Sequence, residues 1–257
     1  MINRSGAKQR FAAYVSDYNA RDEKIRLKIE HTYKVAALCE NIAKSEGLSR
    51  EDTDIAWLSG LLHDIGRFEQ LRRFGTFIDS QSIDHAAFGA DLLFKEGLIR
   101  EFIDFANYDT LLENVIRTHS LFRLPSSFDE RTLLFCNILR DADKIDIFRV
   151  NIETPPEEIY NVTTEDLKNS EISPEVMNSF YEEHATLRDF KKTSADNLAG
   201  HVSLVYELVF PYSLQETYRQ GFLTKLMAFK SDNPNTKKQF EIINQRVNEY
   251  ISENLNN

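Results

Sequence analysis

The chain lacks any run of about eighteen apolar residues, the length that a membrane-spanning helix needs. Its first residues, MINRSGAKQRF, lack the apolar stretch of a secretory signal. The sequence also lacks a segment in which β-branched and polar residues alternate for long enough to predict a strand. We therefore expect a cytoplasmic protein that has no membrane partner and no β-sheet.

Cysteine is scarce, since the chain has only Cys39 and Cys136 and no CxxC motif. Each cysteine lies within an apolar helical stretch, KVAALCENIAK or TLLFCNILR. We predict that both are reduced thiols in the core rather than partners in a disulfide. This pattern argues against a cysteine-based zinc site.

Basic residues are outnumbered, because 31 lysines and arginines face 41 aspartates and glutamates, for a net charge of −10. A protein that binds nucleic-acid polymers generally would be expected to have a basic face. We therefore expect no nucleic-acid partner. A small anionic substrate remains compatible with this charge, because a bound metal supplies positive charge locally.

Apolar residues at helical spacing are abundant, and nearly every segment reads as a helix. Ser49 followed by Asp52 resembles the start of a helix that ends at the pair His63-Asp64, with Gly66 as its terminator. Residues 67–82 are predicted to form a polar loop. The pair Pro155-Pro156 interrupts the pattern, so we predict a core domain at 1–155 and a C-terminal helical extension at 156–257, packed together as one globular unit.

Four of the six histidines lie in or at the ends of separate apolar helices within the first 143 residues. Taken singly, each could be a core histidine or a charge at a helix end. Taken together with two aspartates, they offer enough ligands for two metal ions that share one carboxylate, because a helical bundle can bring such residues to a common interior. The set is His31, His63, Asp64, His85, His119 and Asp143. His184 and His201 lie in polar or unremarkable sequence and are predicted to stay outside the site.

The order H…HD…H…H…D, with the flanking stretches LLHDIGRF, DHAAFGADLL and RDADKID, resembles the HD-domain superfamily of metal-dependent phosphohydrolases. The resemblance covers roughly residues 25–150 and leaves the C-terminal part without an assigned role. It implies an all-α HD-domain helical bundle with additional C-terminal helices. The oligomeric state does not follow from it.

The resemblance also implies a site with two metals. One ion would be held by His31, His63, Asp64 and Asp143, and the second by His85 and His119 with Asp64 as the bridge. A hydroxide that bridges the ions would attack a small phosphate ester, such as a nucleotide. Iron, manganese, zinc, cobalt or nickel suits such divalent sites better than magnesium or calcium.

Cations near the site are expected to bind the phosphoryl oxygens. Arg67 and Lys144 are placed beside the ligands by the motif, and we predict that they act in catalysis together with Asp64. Lys144 could instead pair with a nearby aspartate on the surface. The candidates for substrate binding are Arg72, Arg73, Arg117 and Arg123, each of which could equally be an ordinary surface arginine.

Asp84 has two open interpretations, because it could orient the imidazole of His85 or cap a helix. Two further functions stay open as well. The same six-ligand pattern occurs in HD-domain di-iron oxygenases with a mixed-valent iron pair, and a non-catalytic sensor could keep the helical shell.

Two hydrolase subgroups fit less well. The cyclic-di-GMP-specific subgroup carries a second histidine after the fourth ligand and a G-Y-P signature, and HSLFRLP at 119–125 has neither. The alarmone hydrolases typically need one metal only.

Overall fold

The chain folds into helices joined by short connections. A computed structural model describes residues 2–19 and 21–255, and no strand occurs within these two ranges. The predicted all-α fold is therefore confirmed. The chain divides into two compact units, Met1–Asp143 and Lys144–Asn257. In the described part of the chain, no helix is both long enough and apolar enough to span a membrane.

Several helices of the first unit begin where short polar side chains satisfy free backbone N–H groups. Asp22 accepts a hydrogen bond from the backbone N–H of Lys24. Ser49 accepts one from that of Asp52, at the helix start that the sequence predicted. The helices in this part of the chain are α1 (Arg4–Ser16), α2 (Glu23–Ser45), α3 (Arg50–Leu62), α4 (Ile65–Phe74), α5 (His85–Ala90), α6 (Asp109–Thr118) and α7 (Glu130–Glu153). The division between the two units falls inside α7.

The segment after His63-Asp64 differs from the prediction. Residues 67–74 belong to α4 rather than to a polar loop, and Gly66 lies inside that helix instead of ending α3. The glycine is needed for close approach, since a Cβ there would lie 2.5 Å from the carbonyl oxygen of His85 and 2.7 Å from the amide of Gly89. Gly66 therefore lets α5 and its histidine pack directly against α4.

A similar contact joins α2 to α3. A Cβ on Gly60 would lie 2.7 Å from the Cα of Ala36 and 2.9 Å from the Sγ of Cys39. Both cysteines are buried and free, which confirms that prediction. Because the α2 and α3 backbones approach this closely, His31 on α2 and the His63-Asp64 pair after α3 can share one interior space.

The second unit has its own apolar core, in which Val176, Phe180 and Leu198 are prominent members. Thr163 and Thr193 each form a complete capping box at the start of a helix. Besides the end of α7, the unit contains α8 (Pro156–Ile159), α9 (Thr164–Asn169), α10 (Pro174–Tyr181), α11 (Ser194–Val202), α12 (Pro211–Gln220), α13 (Phe222–Met227) and α14 (Pro234–Leu255). The additional C-terminal helices expected from the sequence are therefore present.

Candidate metal centre

The six predicted ligands come from five segments of the first unit. His31 lies in α2, His63 and Asp64 form the break between α3 and α4, and His85 is the first residue of α5. His119 directly follows α6, and Asp143 lies in α7. The first five are buried, and the Asp143 side chain is partly exposed. The structure thus brings all six side chains to one place.

Asp64 divides these ligands into two groups. Its Oδ2 atom lies 3.8 Å from His31 Nε2 and 3.6 Å from His63 Nε2. Its Oδ1 atom lies 3.5 Å from His85 Nε2 and 3.9 Å from His119 Nε2. The two groups each have donor atoms close enough to hold one ion, and they share Asp64.

Asp143 lies on the side of the first group. Its Oδ1 atom is 3.1 Å from His31 Nε2 and 3.9 Å from His63 Nε2. The first group therefore has two imidazoles and an additional carboxylate, whereas the second has two imidazoles only. The distances group the side chains in the same way as the two ligand sets that the resemblance implied, and metal binding by each group stays a prediction.

The hydrogen bonds of three imidazoles leave their Nε2 lone pairs directed into the cluster. His63 Nδ1 lies 2.8 Å from the carbonyl oxygen of Gly60, and His119 Nδ1 lies 2.7 Å from that of Ile116. His85 Nδ1 lies 2.7 Å from the Asp79 carboxylate. Because these oxygens only accept, each neutral ring carries its proton on Nδ1 and has a lone pair on Nε2.

Two consequences of this arrangement favour a bound cation. His63 Nε2 is buried and has no hydrogen-bond partner among the described residues. His85 Nε2 and His119 Nε2 lie 3.1 Å apart with their lone pairs facing each other. Buried polar atoms normally have a partner, and a metal ion would supply one for all three nitrogens. The donors present therefore fit a divalent transition metal.

Electrostatics keep the ligands in the protonation states that metals need. Burial lowers the pKa of His63 below its usual range and lowers the pKa values of His85 and His119 to about 4. Burial alone would raise the pKa of Asp64, but the positive charges of Lys28 and Arg67 hold it well below its usual value. At neutral pH the rings are neutral and the carboxylate is ionised.

Lys28 is a site residue that sequence reasoning missed. Its Nζ atom lies 2.7 Å from Asp64 Oδ2, and its side chain is 20% exposed. A signal was present, because residues three apart on a helix share a face and Lys28 precedes His31 by three positions. Lys28 is thus a cation next to the carboxylate that both ligand groups share.

Asp79 was missed as well, and it orients His85. Besides the contact to His85 Nδ1, its carboxylate accepts a hydrogen bond from Arg67 Nη1 at 2.7 Å and one from Gln70 Nε2 at 3.0 Å. Asp84 instead caps α5, since it accepts hydrogen bonds from the amides of Ala86 and Ala87. The cap interpretation of Asp84 is therefore confirmed.

Arg67 lies next to the cluster, as the motif implied. Its Nε atom is 3.7 Å from Asp64 Oδ1. Its Nη1 atom also donates to the carbonyl oxygen of Phe77 at 2.6 Å and to Gln70 Oε1 at 2.8 Å. These bonds fix the guanidinium between Asp64 and the Asp79 loop. Lys144, which follows Asp143 in the chain, has a buried side chain.

The four arginines proposed for substrate binding have other contacts. Arg72 and Arg73 both pair with Glu69, and Arg117 pairs with Asp91 and Glu113 at 2.7 Å each. The Arg123 guanidinium lies 4.4 Å from the centre of the Phe122 ring. Their role toward a substrate stays a prediction.

The two spare histidines belong to the second unit. His184 Nε2 lies 3.0 Å from Glu182, and His201 Nδ1 lies 3.0 Å from the hydroxyl of Tyr160. Neither is part of the ligand groups in the described chain. Their exclusion from the site stays a prediction that metal analysis of variants can test.

Comparisons with known proteins agree with the motif. The family model described as HD domain matches residues 29–147, a little under half of the chain. A stretch of 49 residues is 43% identical to the 3'3'-cGAMP-specific phosphodiesterase 1 of Vibrio cholerae serotype O1. The matched stretch is 19% of this chain and 11% of that relative. No solved structure matches the chain significantly. Residues 29–147 are therefore similar to HD domains over that range.

Proposed function

We propose that the protein is a metal-dependent phosphohydrolase that acts on a small phosphate ester with two divalent metal ions. The supporting observation is the position of Asp64 between two pairs of imidazoles whose Nε2 atoms face it. In this proposal His31, His63 and Asp143 would hold one ion together with Asp64. His85 and His119 would hold the other, also together with Asp64.

When bound, such ions would supply positive charge for the phosphoryl oxygens and lower the pKa of water toward about 7, which gives a hydroxide nucleophile. The protein contributes neutral imidazoles and ionised carboxylates in a buried setting. His63 and His119 are kept in the required tautomer by backbone carbonyl oxygens, and His85 is kept in it by Asp79.

We propose different roles for Lys28 and Arg67, the two cations beside Asp64. Both lie against Asp64, and the partly exposed Lys28 ammonium can also reach a ligand from solvent. Arg67 already donates hydrogen bonds to several acceptors. We therefore propose that it mainly positions Asp79 and balances the negative charge of Asp64. Lys144 stays a proposed catalytic cation because of its place beside Asp143 in the motif.

The similar Vibrio protein is a phosphodiesterase by name, which supports a phosphate ester as the substrate class. The match covers 11% of that protein, so its cyclic dinucleotide substrate is one candidate among several. Cyclic dinucleotides therefore belong in a substrate panel next to phosphomonoesters, other phosphodiesters and nucleotides.

The test is a metal-loaded sample, prepared separately with iron, manganese, zinc, cobalt and nickel, and assayed against that panel. We expect product release with at least one metal and one substrate class, and loss of both activity and most of the metal in Asp64→Ala. His184→Ala is the matched control, and it should keep its metal and its rate.

Failure to hydrolyse any ester by a protein that holds two ions would contradict the proposal. Anaerobic iron loading followed by electron paramagnetic resonance distinguishes the alternative. A mixed-valent iron signal that disappears on exposure to oxygen and substrate would assign the site to oxygenase chemistry.

A further inference from the structure

A cavity of about 330 Å³ lies in the first unit between α1, α4 and the segment after α5. This volume is within the range of roughly 300–1,000 Å³ that small-molecule sites have. Tyr18, Arg72, Arg73 and Leu98 contribute to its lining. The described lining residues include none of the metal ligands, so the cavity is separate from the metal centre.

Glu69 is the buried anchor of this cavity. Its carboxylate accepts a hydrogen bond from Arg73 Nε at 2.5 Å and one from the Tyr18 hydroxyl at 3.1 Å, and it also pairs with Arg72. Burial alone would raise the pKa of Glu69, but the bonds to the two guanidinium groups lower it. One ionised carboxylate therefore positions two arginines.

The charges of the cluster formed by Glu69, Arg72 and Arg73 do not balance. Two guanidinium groups carry two positive charges, and Glu69 carries one negative charge. Each guanidinium has five N–H donors, and its contact with Glu69 uses only part of them. The side chains of Arg72 and Arg73 are 57% and 51% exposed, so their remaining donors can reach a further acceptor.

Aromatic rings hold both guanidinium groups in place. The Arg72 guanidinium lies 5.2 Å from the centre of the Tyr18 ring, and that of Arg73 lies 5.2 Å from the centre of the Phe88 ring. Such contacts, together with the shared carboxylate, limit the freedom of two side chains that are otherwise mobile at a surface. A fixed pair of planar donors is suited to bidentate recognition of an oxyanion.

The rest of the lining contains acidic and apolar side chains. Glu96 and Glu101 also line the cavity, and Glu101 is paired with Arg10. These carboxylates would repel an anion, whereas Leu92 and Leu98 offer apolar surface. A ligand that fits would have its anionic group at the arginines and its apolar part against the leucines.

We propose that this cavity is a second binding site, for a small organic oxyanion that carries an apolar group. The oxyanion is a carboxylate or a phosphate-type group, since paired guanidinium groups recognise both. The proposal does not depend on the function of the metal centre.

Isothermal titration calorimetry of the full chain with benzoate, phenylphosphonate and benzamide tests it. The three probes share one ring, and only the first two are anions. Arg72→Gln and Arg73→Gln should each weaken anion binding about tenfold or more, as expected for loss of a charged hydrogen bond. Arg26→Gln is the matched control, because Arg26 is exposed, lies in α2 and pairs with Glu23.

We expect at least one of the two anions to bind and benzamide to bind much more weakly. The Asp64→Asn variant should bind the anions with the same affinity as the unmodified protein. A preference between the anions would then distinguish a carboxylate ligand from a phosphate ligand. Absence of heat with both anions, equal binding by the Arg72, Arg73 and Arg26 variants, or loss of binding in Asp64→Asn would each overturn the proposal. The last result would place the anion at the metal centre instead.

Discussion

Replacing Asp79 with asparagine tests whether the loop after α4 controls the metal-binding nitrogen of His85. The Asp79 carboxylate has three donors, His85 Nδ1 on Oδ2 and both Arg67 Nη1 and Gln70 Nε2 on Oδ1. An asparagine has one oxygen, so it can accept either from His85 or from Arg67 and Gln70, but not from both sides. If its NH₂ group faced the imidazole, His85 would carry its proton on Nε2, where the metal needs a lone pair.

The expected size of the effect follows from the role of such partners. Loss of the acceptor that binds the second ring N–H of a metal-bound histidine typically weakens metal affinity about 10- to 100-fold. That factor corresponds to about 1.4 to 2.8 kcal/mol of binding free energy. We expect Asp79→Asn to weaken the ion held by His85 and His119 by this amount and to leave the ion on the His31 side nearly unchanged.

The assay is a titration of the metal-free protein with zinc or manganese against a competing chelator, with elemental analysis of the loaded samples. Asp84→Asn is the matched control, because Asp84 caps α5 and asparagine caps a helix about as well as aspartate. Two ions bound with normal affinity by Asp79→Asn, or equal weakening in both variants, would refute the role assigned to Asp79.

Three further perturbations have defined outcomes. The pKa values of His85 and His119 are lowered to about 4 from an ordinary 6.5, so the unfolded chain binds protons at a higher pH than the folded chain does. The free energy of unfolding of the chelator-treated protein, measured in urea, should therefore decrease as pH falls from about 6.5 to about 4. A free energy that does not change with pH would contradict the burial of these rings. Lys28→Ala should keep its metal by elemental analysis but lower kcat/KM about tenfold or more, whereas Lys34→Ala, on the same helix, should match the unmodified enzyme; equal rates would remove Lys28 from the substrate site. Gly66→Ala should lower the free energy of unfolding by about 1–3 kcal/mol, because its Cβ would meet the backbone of α5; an unchanged Tm would show that α4 and α5 can separate without cost.

The side chains that the structure brings together as candidate ligands could be identified from the sequence because their signals are local. Each histidine is embedded in an apolar helical stretch, and a helix fixes which side chains face the interior. The order of His31, the His63-Asp64 pair and Asp143 along the chain then suffices to recognise the family. Packing at Gly60 and Gly66 brings these helices together. The short distance between the helix backbones cannot be predicted from the spacing of residues in the sequence.

The residues that support the ligands could not be predicted in the same way. Asp79 lies in a connection whose conformation depends on contacts with Arg67 and Gln70, and no periodic pattern marks such a contact. The prediction of a loop at 67–82 was wrong for residues 67–74, because Gly66 was interpreted as a helix terminator. A glycine that permits close packing and one that ends a helix look the same in sequence.

The ion pair between Lys28 and Asp64 has a consequence for the order of folding and metal binding. A carboxylate buried without a cation would cost several kcal/mol, and folding would then have to wait for the metal, as it does in zinc fingers. The Lys28 ammonium, 2.7 Å from Asp64 Oδ2, supplies that charge from within the chain. The first unit can thus fold before the proposed metals bind. Scarcity of metal would then leave a folded chain whose proposed site is ready for an ion, rather than an unfolded chain exposed to proteases.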